Sequence, residues 1–292
     1  MPRTDNTLKL ADGRTLGYST FGNPLGREVL YFHGGLSSRL DIEFADNQLF
    51  DLNIKLYAPD RPGIGLSDRL PNRTLSDWVR DVEELMATVE LKKPPVLGWS
   101  LGGPYTLACA AFLSDKLGRF GTVGGVGPMD YEGAVEELGL MEDRILLSWP
   151  EPLLQFLSPA GNLYKLMSPQ HMKKELLRAV KSGPDHDICS ALTLEEATAF
   201  AFEAMRQGLD GALDDYFALR KPWGFKPEDI KTEIFMWQGA DDHLCPRHAA
   251  DKLASRLPNR NYYLLENSGH FLLHRHLTEI MSVLLSESDN SL

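Results

Sequence analysis

The sequence predicts an α/β fold, a mostly parallel central β-sheet flanked by helices with an inserted helical cap. Three observations carry this. Short β-branched and aromatic runs alternate with helical patterns in the first third, strand-like runs vanish between about residues 130 and 227, and the alternation then resumes. At 292 residues, 43% of them apolar, the chain is long enough for one large domain carrying an insertion. The expected division is a core of residues 1–130 and 228–292 around a cap of residues 131–227.

A hairpin opens the chain, with two strands within residues 7–22 around Ala11-Asp12-Gly13, where Asp and Gly supply the backbone angles of a tight reversal. Buried strands are expected at 29–32, 55–58, 95–97 and 122–126, each running into a Gly or Pro. Between the second and third, Thr74 to Asp77 has the form of a capping box. Leu75, Trp78, Val79, Val82, Leu85, Met86 and Val89 follow at three-and-four spacing, which predicts a helix with its apolar face on the sheet. Within the cap, Ser168-Pro169 predicts an N-cap and first turn ahead of a Met172, Leu176, Val180 stripe. Thr193 to Glu196 predicts a second capping box ahead of Ala197, Phe200 and Ala204. Core packing is the expected use of these stripes. A strand at 234–237, a helix at 247–257, a strand at 262–265 and a helix after Gly269 complete the order.

Composition narrows the partners. Acidic residues outnumber basic ones 41 to 30 for a net charge of −11, and no Lys/Arg block could neutralise a run of phosphates, so nucleic acid is not an expected partner. Cys109, Cys189 and Cys245 are odd in number and widely spaced without a CxxC, which indicates neither a disulfide framework nor a thiolate zinc site. The polar N-terminus has no apolar leader core, and no segment approaches the roughly 18 uninterrupted apolar residues of a membrane span. The expectation is a soluble cytoplasmic protein that acts on a small molecule and needs neither metal nor cofactor.

Gly98-Trp99-Ser100-Leu101-Gly102 has the form GxSxG between an apolar run and a helical one. A serine hydroxyl is a poor nucleophile unless held clear of its neighbours and offered to a base, and a sharp strand-to-helix turn does this. Phe32-His33-Gly34-Gly35 ends an earlier strand, where a bare backbone N–H can approach a substrate oxygen. The amides of Gly35 and Leu101 are therefore the expected oxyanion donors, the latter aided by its helix N-terminus. His33 is expected to order its loop by hydrogen bonding. Asp241 and Asp242 follow the strand at 234–237, and either could be the acid that orients a base histidine, with Asp130 a lesser rival. His270, after the last strand, is the base candidate; His274 and His276 read as surface or packing residues. Asp241, Asp242, His243, His270 and His274 lack compact metal-ligand spacing. Leu36, Trp99, Leu101 and Phe271 flank this site and predict apolar walls.

Over nearly its whole length the chain resembles the α/β-hydrolase-fold superfamily, in particular its capped serine esterases. The likeness rests on Gly98 to Gly102, Phe32 to Gly35, Asp60-Arg61-Pro62-Gly63-Ile64-Gly65-Leu66-Ser67, Gly239 to Asp242 with Pro246, and Ser268 to Phe271. It implies Ser100, Asp242 and His270 as a triad, since the family's acid falls three residues after the glycine and four before the proline. It also implies a turning role for the Asp60 loop. The serine at position 100 argues against the dehalogenase and epoxide-hydrolase branches, which need a carboxylate nucleophile. The expected activity is hydrolysis of a carboxylic ester or similar acyl compound through an acyl-enzyme. A proline-iminopeptidase-like aminopeptidase is the alternative, its substrate ammonium meeting cap carboxylates among Glu136, Glu137, Glu142, Asp143, Glu195, Glu196 and Glu203. A slow-turnover ligand receptor on the same fold is the third reading.

Overall fold

A computed structural model describes residues 3–286. Its eight described strands are β1 (Thr4–Lys9), β2 (Thr15–Gly22), β3 (Arg27–Phe32), β4 (Ile54–Pro59), β5 (Val96–Trp99), β6 (Phe120–Val123), β7 (Ile234–Gly239) and β8 (Arg260–Leu265). They form one sheet in the order β1-β2-β4-β3-β5-β6-β7-β8. β2 runs antiparallel to β1 and β4, and every later pairing is parallel. The opening reversal turns at Gly13 with φ of +88°, a left-handed angle that glycine adopts without a steric cost.

The parallel strands are buried on both faces, so their apolar runs are continuous. Val29 and Tyr31 of β3 enter one core while Leu30 and Phe32 enter the other. One face is covered by α1 (Asp46–Asp51) and α11 (Leu273–Leu284), the other by α2 (Leu75–Thr88), α3 (Gly102–Phe112) and α10 (Arg247–Arg256). The Thr74–Asp77 capping box forms as the spacing predicts and starts α2. Between β6 and β7 lie only helices among the described residues: α4 (Met141–Ser148), α5 (Glu151–Leu157), α6 (Pro169–Ala179), α7 (Pro184–Ala191), α8 (Ala199–Ala204) and α9 (Asp210–Arg220), with a 3-10 helix at Ser158–Leu166 and a short one at Pro227–Asp229.

Most strands extend or shift by one or two residues from expectation, and three boundaries have more to say. The hairpin begins at Thr4, ahead of residue 7. β6 stops at Val123 instead of residue 126, because Gly124 takes φ of +52° and turns against the site, where a Cβ would lie 3.2 Å from both Asp242 Oδ2 and His270 Nδ1. Thr193 and Glu196 exchange their capping-box bonds, yet α8 starts only at Ala199 after a stretch of turns.

The chain passes from β3 outward to β4 and then back across to β5. The carboxyl ends of β3 and β5 therefore flank a topological switch point, where open α/β sheets leave a crevice for ligands. Helix α9 reaches down to the core beside it. Gly211 rests directly on Gly63, since a Cβ on Gly211 would fall 2.1 Å from Gly63 O.

Candidate active site

β5 ends at Trp99 and α3 begins at Gly102, so Ser100 and Leu101 make the reversal alone. Ser100 takes φ of +54°, a sparsely populated conformation for a residue with a side chain. The flanking glycines are sterically required. A Cβ at 98 would lie 2.4 Å from Gly102 O, and one at 102 would lie 2.2 Å from Phe32 O. Ser100 N donates to Val123 O at 2.9 Å and Ser100 O accepts from Val126 N at 3.1 Å, so the bend is pinned to the neighbouring strand end.

His270 and Asp242 meet beside it. His270 Nδ1 and Asp242 Oδ2 are 2.9 Å apart, and both residues are buried. Asp242 Oδ1 accepts from Leu244 N at 2.9 Å and Cys245 N at 2.8 Å, while Gln238 Nε2 donates to Oδ2. Burial alone would depress the His270 imidazolium, but Asp242 prevails and its pKa lies well above the ordinary histidine value. Of the three candidate acids, Asp242 is the one that touches this ring among the described residues. Asp241 is exposed, and Asp130 pairs with Arg256 at 2.7 Å.

Across the crevice, Gly34 and Gly35 face the bend. A Cβ on Gly34 would lie 3.5 Å from Ser100 Cβ, and one on Gly35 would lie 3.2 Å from Leu101 Cδ1. The Gly35 and Leu101 amides find no hydrogen-bond acceptor among the described residues, which leaves two donors for an anionic oxygen. The loop beneath is held from below. His33 Nδ1 lies 2.9 Å from Gly34 O, and its Nε2 accepts from Arg61 N at 3.2 Å, so His33 orders the loop as a neutral ring. Burial and then Arg61 push its pKa well below the ordinary value. Arg61, fully buried, also donates to Gly34 O at 2.7 Å and to Asp215 of α9, which takes further bonds from Arg73 and Tyr105. Asp41 accepts from Gly34 N at 2.9 Å, and burial lifts its carboxyl to about 6. The Asp60 loop turns as the resemblance implies, with Asp60 accepting from Arg39 N and Leu66 N, each at 2.9 Å.

These groups open onto one cavity of about 210 Å³ between the sheet end and the helical insertion. Leu36, Trp99, Leu101 and Phe271 line it together with Ser100 and His270. Its lining includes Glu142, Asp143 and Glu175 and, among the described residues, no lysine or arginine. Asp143 accepts from the Tyr216 hydroxyl, which would stand 2.9 Å from a Cβ on Gly35. Burial raises the Asp143 carboxyl, with Tyr216 opposing. Other acidic residues between β6 and β7 are committed elsewhere: Glu137 to His248 and Lys252, Glu203 to Arg39 and Arg206, Glu196 to Thr193. His274 stacks on Phe44 at 3.6 Å and His276 meets Ser268 Oγ at 3.0 Å, so both are packing residues. Among the described residues no group of three or more His, Cys, Asp or Glu could hold a metal ion, and the three cysteines are free and buried.

Sequence reasoning missed Glu175, the Tyr216 partner of Asp143, and Asp185. Asp185, from α7, accepts the backbone N–H of His270 at 2.7 Å and of Phe271 at 2.8 Å. No local spacing links residues so far apart in the chain.

Comparison with known proteins fits this geometry. The Alpha/beta hydrolase family profile matches residues 29–282. A Caulobacter vibrioides protein named "Putative carbamate hydrolase RutD" is 26% identical over 270 residues, covering 90% of this chain and 91% of that protein. An esterase from Exiguobacterium antarcticum shares the fold with a TM-score of 0.67 at 16% identity, over 97% of this chain and 98% of that one. The epoxide hydrolase VrEH1 from Vigna radiata does so with a TM-score of 0.70 at 16% identity, over 97% and 96%. With a strained serine bend at its switch point and a matching profile over most of its length, the chain belongs to the alpha/beta hydrolase family.

Proposed function

We propose that this protein is a serine hydrolase that cleaves a carboxylic ester or similar acyl compound through an acyl-enzyme. Ser100 attacks the carbonyl carbon as His270 takes its proton, and Asp242 orients the ring and stabilises the imidazolium. The amides of Gly35 and Leu101 hold the developing oxyanion. The imidazolium gives its proton to the leaving group, and a water deprotonated by His270 then releases the acid and restores Ser100. Residues 131–227 serve as a cap over the core, and Leu36, Trp99 and Phe271 as apolar walls for the acyl chain. The observation that carries this reading is the left-handed Ser100 beside the His270–Asp242 pair at one cavity. A serine in this place supports acyl transfer over the epoxide opening named for one fold neighbour.

Because the cavity is largely apolar and carries carboxyl groups, with no lysine or arginine among its described lining residues, uncharged acyl groups fit it best and anionic ones worst. Asp143 favours a second reading, an aminopeptidase whose substrate ammonium meets that carboxyl. It is in line with matches to proteins named "Putative proline iminopeptidase" from Mycoplasma pneumoniae, over 37% of this chain, and Mycoplasma genitalium, over 90% of it. The test is a panel of esters, amides and lactones with wild type and Ser100→Ala, alongside a serine-directed phosphonate. Ester turnover lost in Ser100→Ala, with probe attached at Ser100, supports the hydrolase. Release from proline amides but not esters moves the assignment to the aminopeptidase. Labelling without turnover points to a receptor, and labelling elsewhere or nowhere overturns the proposal.

A further inference from the structure

The loop that carries His270 is held by two carboxylates from different parts of the chain. Asp242 meets the imidazole from the end of β7. Asp185, in the first turn of α7 and 4% exposed, meets the backbone instead, its two oxygens divided between the amides of His270 and Phe271. Gly269 makes room for it, since a Cβ there would fall 2.3 Å from Asp185 Oδ2. The glycine before the histidine thus admits a carboxylate contributed by the insertion. Residues 266–272 precede the first turn of α11, and these two bonds fix the backbone from which the ring projects.

We propose that Asp185 is a positioning residue for the base, by which the helical insertion sets the His270 backbone and adds a negative charge beside its ring. The inference rests on His270 being the base. Helix α7 packs against α6, whose Met172 and Leu176 line the cavity. The element that touches a bound acyl group is therefore joined to the element that holds the base. The groups facing His270 are Asp242 and the Cys245 thiol from the β7 turn, Asp143 from α4 and Asp185 from α7. Asp185 favours the imidazolium, so its neutralisation moves the acid limb of the kcat/KM profile to lower pH.

Asp185→Asn keeps the shape but removes the charge and leaves one acceptor oxygen for two amides. The expected result is a fall in kcat of about 10- to 100-fold, KM within about twofold, and an acid limb shifted downward, with thermal melting showing a folded protein. Gly269→Ala, which crowds the same carboxylate, is expected to lower kcat similarly in wild type and to add little in the Asp185→Ala background, where the space is free. Unchanged kcat and acid limb in Asp185→Asn would overturn the proposal. So would a Gly269→Ala loss that is fully additive, which also decides the matter if Asp185→Asn proves unstable. Phosphonate attachment at Ser100 in every variant separates these outcomes from failure of the hydrolase assignment.

Discussion

The sheet end and the helical insertion contribute to the same cavity under different constraints. On the sheet side, Gly35, Ser100, Asp242 and His270 stand on turns at the carboxyl ends of β3, β5, β7 and β8, and hydrogen bonds and steric limits fix those turns. On the insertion side, residues 141–166 expose Met141, Trp149, Leu153, Phe156, Leu163 and Leu166, and the helices are short. The insertion meets the site through apolar side chains such as Leu147, Met172, Leu176 and Phe200 and through a few polar ones, Asp143, Glu175, Asp185 and Tyr216. Under the proposed function, this contrast would leave most of the reaction geometry to the sheet and most of the substrate choice to the insertion.

Substitutions that cross this divide can break the comparison. The largest effect is expected from Ser100→Ala, with kcat/KM for an ester falling about 10³- to 10⁶-fold while ligand-induced thermal stabilisation survives. Asp242→Asn should cost about 10³- to 10⁴-fold by leaving the ring in the wrong tautomer. In the wild type, the acid limb of the kcat/KM profile should lie above pH 6.5, because His270 must be neutral to accept a proton and its pKa is raised. Arg61→Met, which strips Asp215 of one partner and takes one of two donors from the Gly34 carbonyl, should lower stability by about 3–5 kcal/mol in a denaturant titration. Asp41 supplies a pH test. Its carboxyl is raised from 3.8 to about 6, so the native state binds more protons than the unfolded one between those values. Stability contributed by this group therefore falls as pH rises from about 4 to about 6, by about 3 kcal/mol, and is level above that. Asp41→Asn should flatten this part of the curve, leaving the share of Asp60, which burial also raises to about 6. Phe156→Ser, on the exposed face of α5, should shift stability by no more than about 0.5 kcal/mol. A large loss there would mean that the insertion's outer surface is more constrained than its exposure implies.

What could be read from the sequence follows the same divide. Ser100, Gly98 and Gly102 are legible because one bend imposes steric demands on neighbouring positions, and the α2 capping box is legible for the same local reason. Asp242 is separated from Asp241 only by the resemblance to the α/β-hydrolase family, whose acid has this spacing from Gly239 and Pro246, and its carboxylate lies 2.9 Å from the histidine ring. Asp185 and the Tyr216–Asp143 bond leave no such trace, since their partners lie 85 and 73 residues away. The end of β6 was hidden likewise. Val126 has the character of a strand residue, but the crowding of Gly124 against His270 ends the strand first.

The seating of Gly211 on Gly63 bears on attempts to exchange specificity among relatives. Helix α9 follows the insertion's other helices in the chain, yet Arg61, Arg69 and Arg73 of the sheet side bind its Asp210, Asp214 and Asp215. A foreign lid spliced in up to residue 227 would discard these ion pairs together with the backbone contact. A graft that stops before Asp210 retains the host's anchor, provided that it also keeps an acceptor in the place of Asp185 for the His270 and Phe271 amides.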